Sequence, residues 1–345
     1  MISDVNKKEQ KKYHTIVLFI LISLLLIFIS SISLGQYNIN FLVMLKSLSN
    51  VLLNTEYDIP LTAENVIQYI RLPRTVAAFL VGSSLSVAGA AYQTMFNNKL
   101  VSPDVLGVSA GSCVGAAFAI LLGVGSYFVG FVAFISGMIS VLLALLLPKL
   151  FRSNKTITLV LSGIIVASLM DSIIGVIKFI SDKDDKLAEI TFWMMGSLAG
   201  ITFKEIICVI PIYIISIIGL FIMRWKMNIL SLGGMEAKSL GLNYKLYRFL
   251  VIVFATLLTA ASVSVCGSVG WIGLVIPHIA RAIIGSDNRY SLPIAFLFGG
   301  TFMIIVDMLS RNLTVNEIPL SIITGILGTI VYTVVLVKRG RELNE

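Results

Sequence analysis

The chain alternates between apolar runs of about 20 residues and short polar breaks. A helix needs roughly 20 apolar residues to cross the ~30 Å hydrocarbon layer of a bilayer. Ten candidate spans follow: 16–34, 76–96, 105–125, 127–147, 156–180, 204–223, 249–267, 269–285, 292–310 and 318–337. They predict an all-α polytopic membrane protein with about ten transmembrane helices, organised as one transmembrane domain over 1–345. Gly82, Gly89, Gly107, Gly111 and Gly115 suit close approach between such helices. The longest polar segments are a tail at 1–15, two stretches at 35–75 and 181–203, and a loop at 224–248.

Basic residues sort with these breaks. With the N-terminus inside, 18 of the 26 Lys and Arg fall on the cytoplasmic side. They include Lys7, Lys8, Lys11, Lys12, Lys149, Arg152, Lys155, Lys238, Lys245 and Arg248. This bias orients a ten-helix chain with both termini cytoplasmic. The first apolar run is long for a signal peptide and reads as a retained helix. Lys46, Arg71, Arg74, Lys178, Lys183, Lys186, Lys204 and Arg311 oppose the trend. The outer arginines either snorkel to the headgroups or meet a partner.

Composition agrees with the pattern. Apolar residues make up 57% and charged residues 13%, against about half and a quarter in soluble domains. The net charge of +8 is a topology signal rather than a nucleic-acid footprint, because the basic residues lie between apolar runs. Cys113, Cys208 and Cys266 sit in apolar runs without CxxC pairing, and His14 and His278 are far apart. No metal site or cofactor is expected. No P-loop sequence occurs, so the chain has no nucleotide site of that kind. No HExxH or paired-carboxylate helix points to an enzyme.

Asp171 and Asp307 fall within spans, where acids are costly. Asp307 and Arg311 are four apart and pair across one helix face. Asp171 either faces a water-filled path or snorkels. An inverted repeat is possible. A shift of 174 residues places Arg74 on Arg248, Pro103 on Pro277 and Gly111 on Gly285. The segment 97–104 interrupts the pattern as a plain loop or as irregular backbone lining a cavity. The 224–248 loop reads as a headgroup-level helix or as a docking element.

Five ordered stretches carry a family resemblance. They are Arg71-Leu-Pro-Arg74; Gly89 to Gln93 with Asn98, Leu100, Pro103 and Leu106-Gly-Val-Ser109; Trp193-Met-Met-Gly-Ser-Leu198; Gly273-Leu-Val-Ile-Pro-His-Ile-Ala-Arg281; and Glu317-Ile-Pro319 with Thr324. Together they resemble the FecCD-type permeases of iron-siderophore and vitamin B12 ABC importers over roughly 16–340. Departures stand at Lys99, Trp271, Ile318 and Ile330.

The resemblance implies a vitamin B12 importer permease-like fold in the cytoplasmic membrane of a bacterium. It implies partners: two cytoplasmic ATPase subunits, an extracytoplasmic substrate-binding protein, and a second permease copy or paralogue. The expected cargo is an iron chelate, with haem or cobalamin as alternatives. A secondary transporter driven by an ion gradient is the reading from a different class. By resemblance, Arg71, Arg74 and Arg311 would dock acidic residues of the binding protein. Gly233, Gly234, Met235, Glu236, Ala237, Leu240 and Gly241 would form the ATPase coupling loop. Gln93, Asn98, Pro103, Gly107, Ser109, Gly273 and Pro277 would line the translocation path, reopened by alternating access. On that reading Arg74→Glu abolishes transport without lowering protein level.

Overall fold

The computed structural model describes residues 2–37, 39–150, 156–181 and 185–344. Arg152, Lys155 and Lys183 of the charge pattern lie outside the described residues. Fourteen α-helices run in order: α1 (Ile2–Ser33), α2 (Phe41–Leu53), α3 (Leu61–Asn65), α4 (Leu72–Met95), α5 (Val108–Leu121), α6 (Ser126–Leu150), α7 (Thr156–Ile180), α8 (Lys186–Met195), α9 (Phe203–Leu230), α10 (Gly234–Ser239), α11 (Tyr244–Cys266), α12 (Ile272–Ile284), α13 (Asn288–Asn312) and α14 (Leu320–Asn344). A π-helical stretch, Val66–Arg71, joins α3 to α4, and a 3₁₀ turn, Pro103–Leu106, precedes α5. No strand occurs among the described residues.

Among the described residues, seven helices are long and apolar enough to cross a membrane. The three remaining expected spans correspond to α5, α12 and the apolar part of α14. The helices extend beyond the apolar runs where no breaker stops them. α1 begins at Ile2 because Lys, Glu and Gln in the tail are good helix formers. α9 continues through Arg224 and Lys226 to Leu230 and narrows the 224–248 loop. The 35–75 stretch, expected to be irregular, holds α2 and the α3–π lead-in, while 181–203 holds α8.

α4 is the hub. Ser83, Ser84, Ser86, Ala88, Ala90 and Ala91 are all buried, so the helix packs on every side. Small side chains allow this, since association inside lipid rests on close van der Waals fit. A Cβ added to Gly82 would lie 2.3 Å from the Gly299 carbonyl oxygen, and one on Gly299 would lie 2.5 Å from the Gly82 oxygen. Backbone therefore meets backbone where α4 crosses α13. At the far end of α13, Asp287 accepts from the Arg289 N–H at 2.9 Å as N-cap and from Asn228 Nδ2 at 2.6 Å, tying in α9.

α5 and α12 have 14 and 13 residues, or about 20 Å of rise. Neither spans the layer alone. Each follows irregular backbone, 96–107 and 267–271, of which 97–100 and Trp271 are exposed while Val101, Pro103, Gly267 and Val269 are buried. The sequence α4–α5–α6–α7 has lengths 24, 14, 25 and 25, and α11–α12–α13–α14 has 23, 13, 25 and 25. The two runs share one order of helix lengths, as a repeat would, with the short helices offset by a separation other than the 174-residue shift. Val108 and Ile272 both open the short helix, a separation of 272 − 108 = 164. Pro103 precedes its short helix, whereas Pro277 lies inside α12, so the two prolines are not equivalent. Gly107 and Trp271 each precede a short helix at positive φ, 75° and 71°.

Candidate functional site

The broken-helix crossing gathers most of the expected path residues. Gly89 abuts Gly273 so closely that an added Cβ would lie 1.8 Å from the Gly273 carbonyl oxygen, and Pro103 Cγ fills the space where a Gly273 Cβ would go. Gln93 spans the junction, with Nε2 donating to Val101 O at 3.0 Å and Leu274 O at 3.2 Å while Oε1 accepts from Arg281. It satisfies the Val101 carbonyl, which lies outside any helix. The Gly107 carbonyl accepts from Ser140 Oγ at 2.7 Å, and Ser109 Oγ donates to Asp104. Gln93, Pro103, Gly107, Gly273 and Pro277 are buried within the single chain, Ser109 is half-buried, and Asn98 caps an exposed turn. These residues brace the crossing from inside; they do not present an open wall.

The outer arginines are also interior, at 3%, 4% and 7% exposure for Arg71, Arg74 and Arg311. Arg74 donates from Nε to Asp307 Oδ1 at 2.6 Å and from Nη1 to Glu317 Oε1 at 2.6 Å. Arg311 reaches Asp307 Oδ2 at 3.5 Å, so the i,i+4 pair expected from spacing is formed, and its Nη2 donates to Ser31 O at 2.5 Å. Arg71 donates from Nη1 to Ile32 O at 2.9 Å and Ser33 O at 2.7 Å. The expectation of outward-facing guanidinium forks gives way to a latch. It joins the ends of α1, α4 and α13 to the 313–319 loop. The driving force is local: α1 ends with carbonyls that lack helical partners, and the Arg71 and Arg311 guanidiniums satisfy those of Ser31, Ile32 and Ser33. Glu317, with its side chain 34% exposed, is the accessible member.

The Trp193–Leu198 motif has a visible role that spacing could not show. Ser197 N donates to Cys266 O at 2.9 Å, Leu320 N donates to Gly196 O at 2.9 Å, and Ser268 Oγ donates to Met194 O at 2.6 Å. This segment therefore ties the 266–271 break to the start of α14.

At the opposite end, α10 is a single short helix between Gly233 at φ 110° and Gly241 at φ 77°. Both angles disfavour any side chain. Ala237 is fully buried against the bundle, while Met235 is 84% and Leu240 61% exposed. Gly233, Gly234, Glu236 and the rest of the predicted coupling residues thus form one turn that offers an apolar outer face.

Among the described residues, seven helices of membrane-crossing length and three shorter apolar ones, with an exposed amphipathic turn at one end, define a polytopic α-helical membrane protein. This chain belongs to the FecCD transport family, whose model matches residues 22–338. It is 34% identical over 292 residues to the molybdate import permease MolB of Haemophilus influenzae, covering 84% of this chain and 87% of the relative. A Helicobacter pylori (strain 26695) protein named "Probable iron chelatin transport system permease protein" is 37% identical over 265 residues, covering 76% and 79%. The vitamin B12 import permease BtuC of Escherichia coli O127:H6 is 33% identical over 279 residues, covering 79% and 83%. A solved ABC transporter described as of metal-chelate type, in an inward-facing conformation, matches with TM-score 0.84 at 32% identity, covering 94% of this chain and 99% of that one. The chain is an ABC importer permease, a transport component and not an enzyme, and a partner ATPase hydrolyses the ATP.

Proposed function

We propose that this permease carries a metal chelate, an iron siderophore in the first instance, across a bacterial cytoplasmic membrane. The observation that carries the cargo class is Asp171. Fifteen residues separate it from Thr156 at the start of α7, about 22 Å along the helix, yet its side chain is exposed in the single chain. Ser168 and Gly175 share its face at i−3 and i+4 spacing and are exposed too. An ionised group at that depth does not face lipid; it marks a hydrated path. A second copy of the permease closes that path, with α14 supplying the exposed Thr329 and Thr333. A carboxylate fixed in that path repels a small oxyanion and tolerates a neutral or cationic chelate. That favours an iron chelate over a molybdate-type cargo; haem and cobalamin remain alternatives of the same bulky class.

The remaining roles follow the same frame. The N-terminus lies in the cytoplasm, as the basic residues favour. The binding protein docks at the outer latch through Glu317 and the 313–319 loop, which Arg71, Arg74 and Arg311 hold in place. The ATPase engages the exposed face of α10, and alternating access moves the bundle around the breaks at 96–107 and 267–271. Uptake assays on a strain whose iron-chelate import depends on this permease test the cargo. The expected result is chelate-dependent iron uptake that Asp171→Asn alters and Asp171→Lys abolishes. Uptake of molybdate with none of iron chelate refutes the proposal.

A further inference from the structure

The α10 end of the bundle contains a cavity of about 770 Å³ between α6, α7, α10 and α11. Its lining divides by depth. Lys149 in the last turn of α6, Lys238 on α10, and Lys245 and Arg248 in the first turns of α11 contribute four cations, against one acid, Glu236. Farther into the bundle the walls are Leu145, Leu159 and Ile252. Lys245 and Ile252 are seven residues apart on one helix, about 10 Å along its axis. The cavity therefore begins among cations at the mouth and ends in hydrocarbon two turns inside.

The neighbouring surface points to lipid. Leu142, Leu146 and Leu150 on α6 and Leu246 and Phe249 on α11 are all exposed, at 57%, 44%, 76%, 48% and 53%. These positions need an apolar solvent. A water-soluble subunit could cover the charged mouth, but the inner walls lie at acyl-chain depth. An amphiphile with an anionic head matches both levels: basic pockets between helices on the cytoplasmic side hold acidic headgroups, and the stem of each lysine packs along the chain below.

We propose that this cavity is a binding site for an anionic phospholipid, with the phosphate held by Lys149, Lys238, Lys245 and Arg248 and an acyl chain lying over Leu145, Leu159 and Ile252. The bound phosphate links α6, α10 and α11 and so fixes the coupling turn against the bundle. The site does not depend on which cargo the permease carries.

The test uses the full-length permease in detergent, read by native mass spectrometry and by thermal stability. The probes are phosphatidylglycerol, phosphatidylcholine with the same acyl chains, and glycerol 3-phosphate. One phosphatidylglycerol per chain is expected to be retained, with the other two probes weak. In K149Q/K245Q its retention should fall roughly 30-fold, at about fivefold per lost charge, with phosphatidylcholine binding unchanged. Ile252→Trp, which fills the inner end and leaves the charges intact, should also reduce retention and keeps the test valid if the charge variant is poorly folded. Equal retention of both lipids, or retention unaffected by either variant, overturns the proposal. Equal stabilisation by glycerol 3-phosphate reduces the site to an anion site and also overturns it. Loss of the lipid when the ATPase subunit assembles on the permease would show that protein, not lipid, occupies the cavity.

Discussion

Reversing the charge at Arg74 should unfold the outer end of the permease, not merely uncouple it. Arg74 bridges Asp307 and Glu317 at 2.6 Å each, and the Asp307 side chain is fully buried. At 2.6 Å, one such contact amounts to roughly 6 kcal/mol of Coulomb energy at an effective dielectric of ~20. Desolvation of both partners offsets part of this. Removing one partner of a buried pair nevertheless costs about 3–5 kcal/mol, because the other charge is left uncompensated. Arg74→Glu goes further: it sets a third carboxylate beside Asp307 and Glu317, with only Arg311 at 3.5 Å to oppose them. The expected outcome is a protein that accumulates poorly and melts several degrees lower in detergent. Arg74→Lys keeps the charge but loses the fork that reaches two carboxylates at once, and should be intermediate. In a double-mutant cycle, Arg74→Met with Asp307→Leu should lose less than the two single losses combined. Fluorescence-detected size exclusion after a temperature ramp gives the measurement. A stable, abundant Arg74→Glu protein that is defective only in transport would refute the internal latch and restore direct docking by the arginine.

Other parts of the frame give separate expectations. Gly89→Ala should disrupt the α4–α12 crossing, since its Cβ would meet the Gly273 oxygen at 1.8 Å; folded yield should drop severely, by contrast with Gly175→Ala on the exposed face of α7, where nothing lies within 4 Å. Met235→Glu on the exposed face of α10 should leave permease stability unchanged and lower ATPase activity in the assembled transporter; unchanged stimulation would exclude that face from coupling. Asp287→Ala should cost about 1 kcal/mol as a lost N-cap. Burial alone would raise the Asp287 carboxyl, but hydrogen bonds from Arg289 and Asn228 hold it below its ordinary value. Its stabilising contribution is therefore full above about pH 4 and lost as pH falls through the depressed value. A melting temperature of the alanine variant with the same acid dependence as the wild type would contradict this.

The apolar runs located every crossing, because a bilayer imposes one length on any helix that spans it. Asp307 and Arg311 were readable as a pair, because helical spacing is local. Family membership was legible for a different reason: ordered motifs survive where single residues would not discriminate. The extra helices α2 and α8 were missed because, at 13 and 10 residues, they are too short to register as spans.

What the sequence alone could not reach was the partner of each buried polar group. Arg74 meets Asp307 from 233 positions away, Gln93 meets Leu274 from 181, and Leu320 meets Gly196. Such contacts depend on which helices become neighbours, and hydropathy is blind to neighbours inside lipid, where every apolar face is equally content. The arginines consequently read as outward-facing charges, and only the packed bundle turned them into an internal latch. Asp171 shows the converse. Its position suited either a water-filled path or snorkelling, and tertiary structure alone left it on an exposed face. Local periodicity and the bilayer's thickness determined the elements; the close approach of small residues, and the need to satisfy each broken carbonyl, decided how they meet.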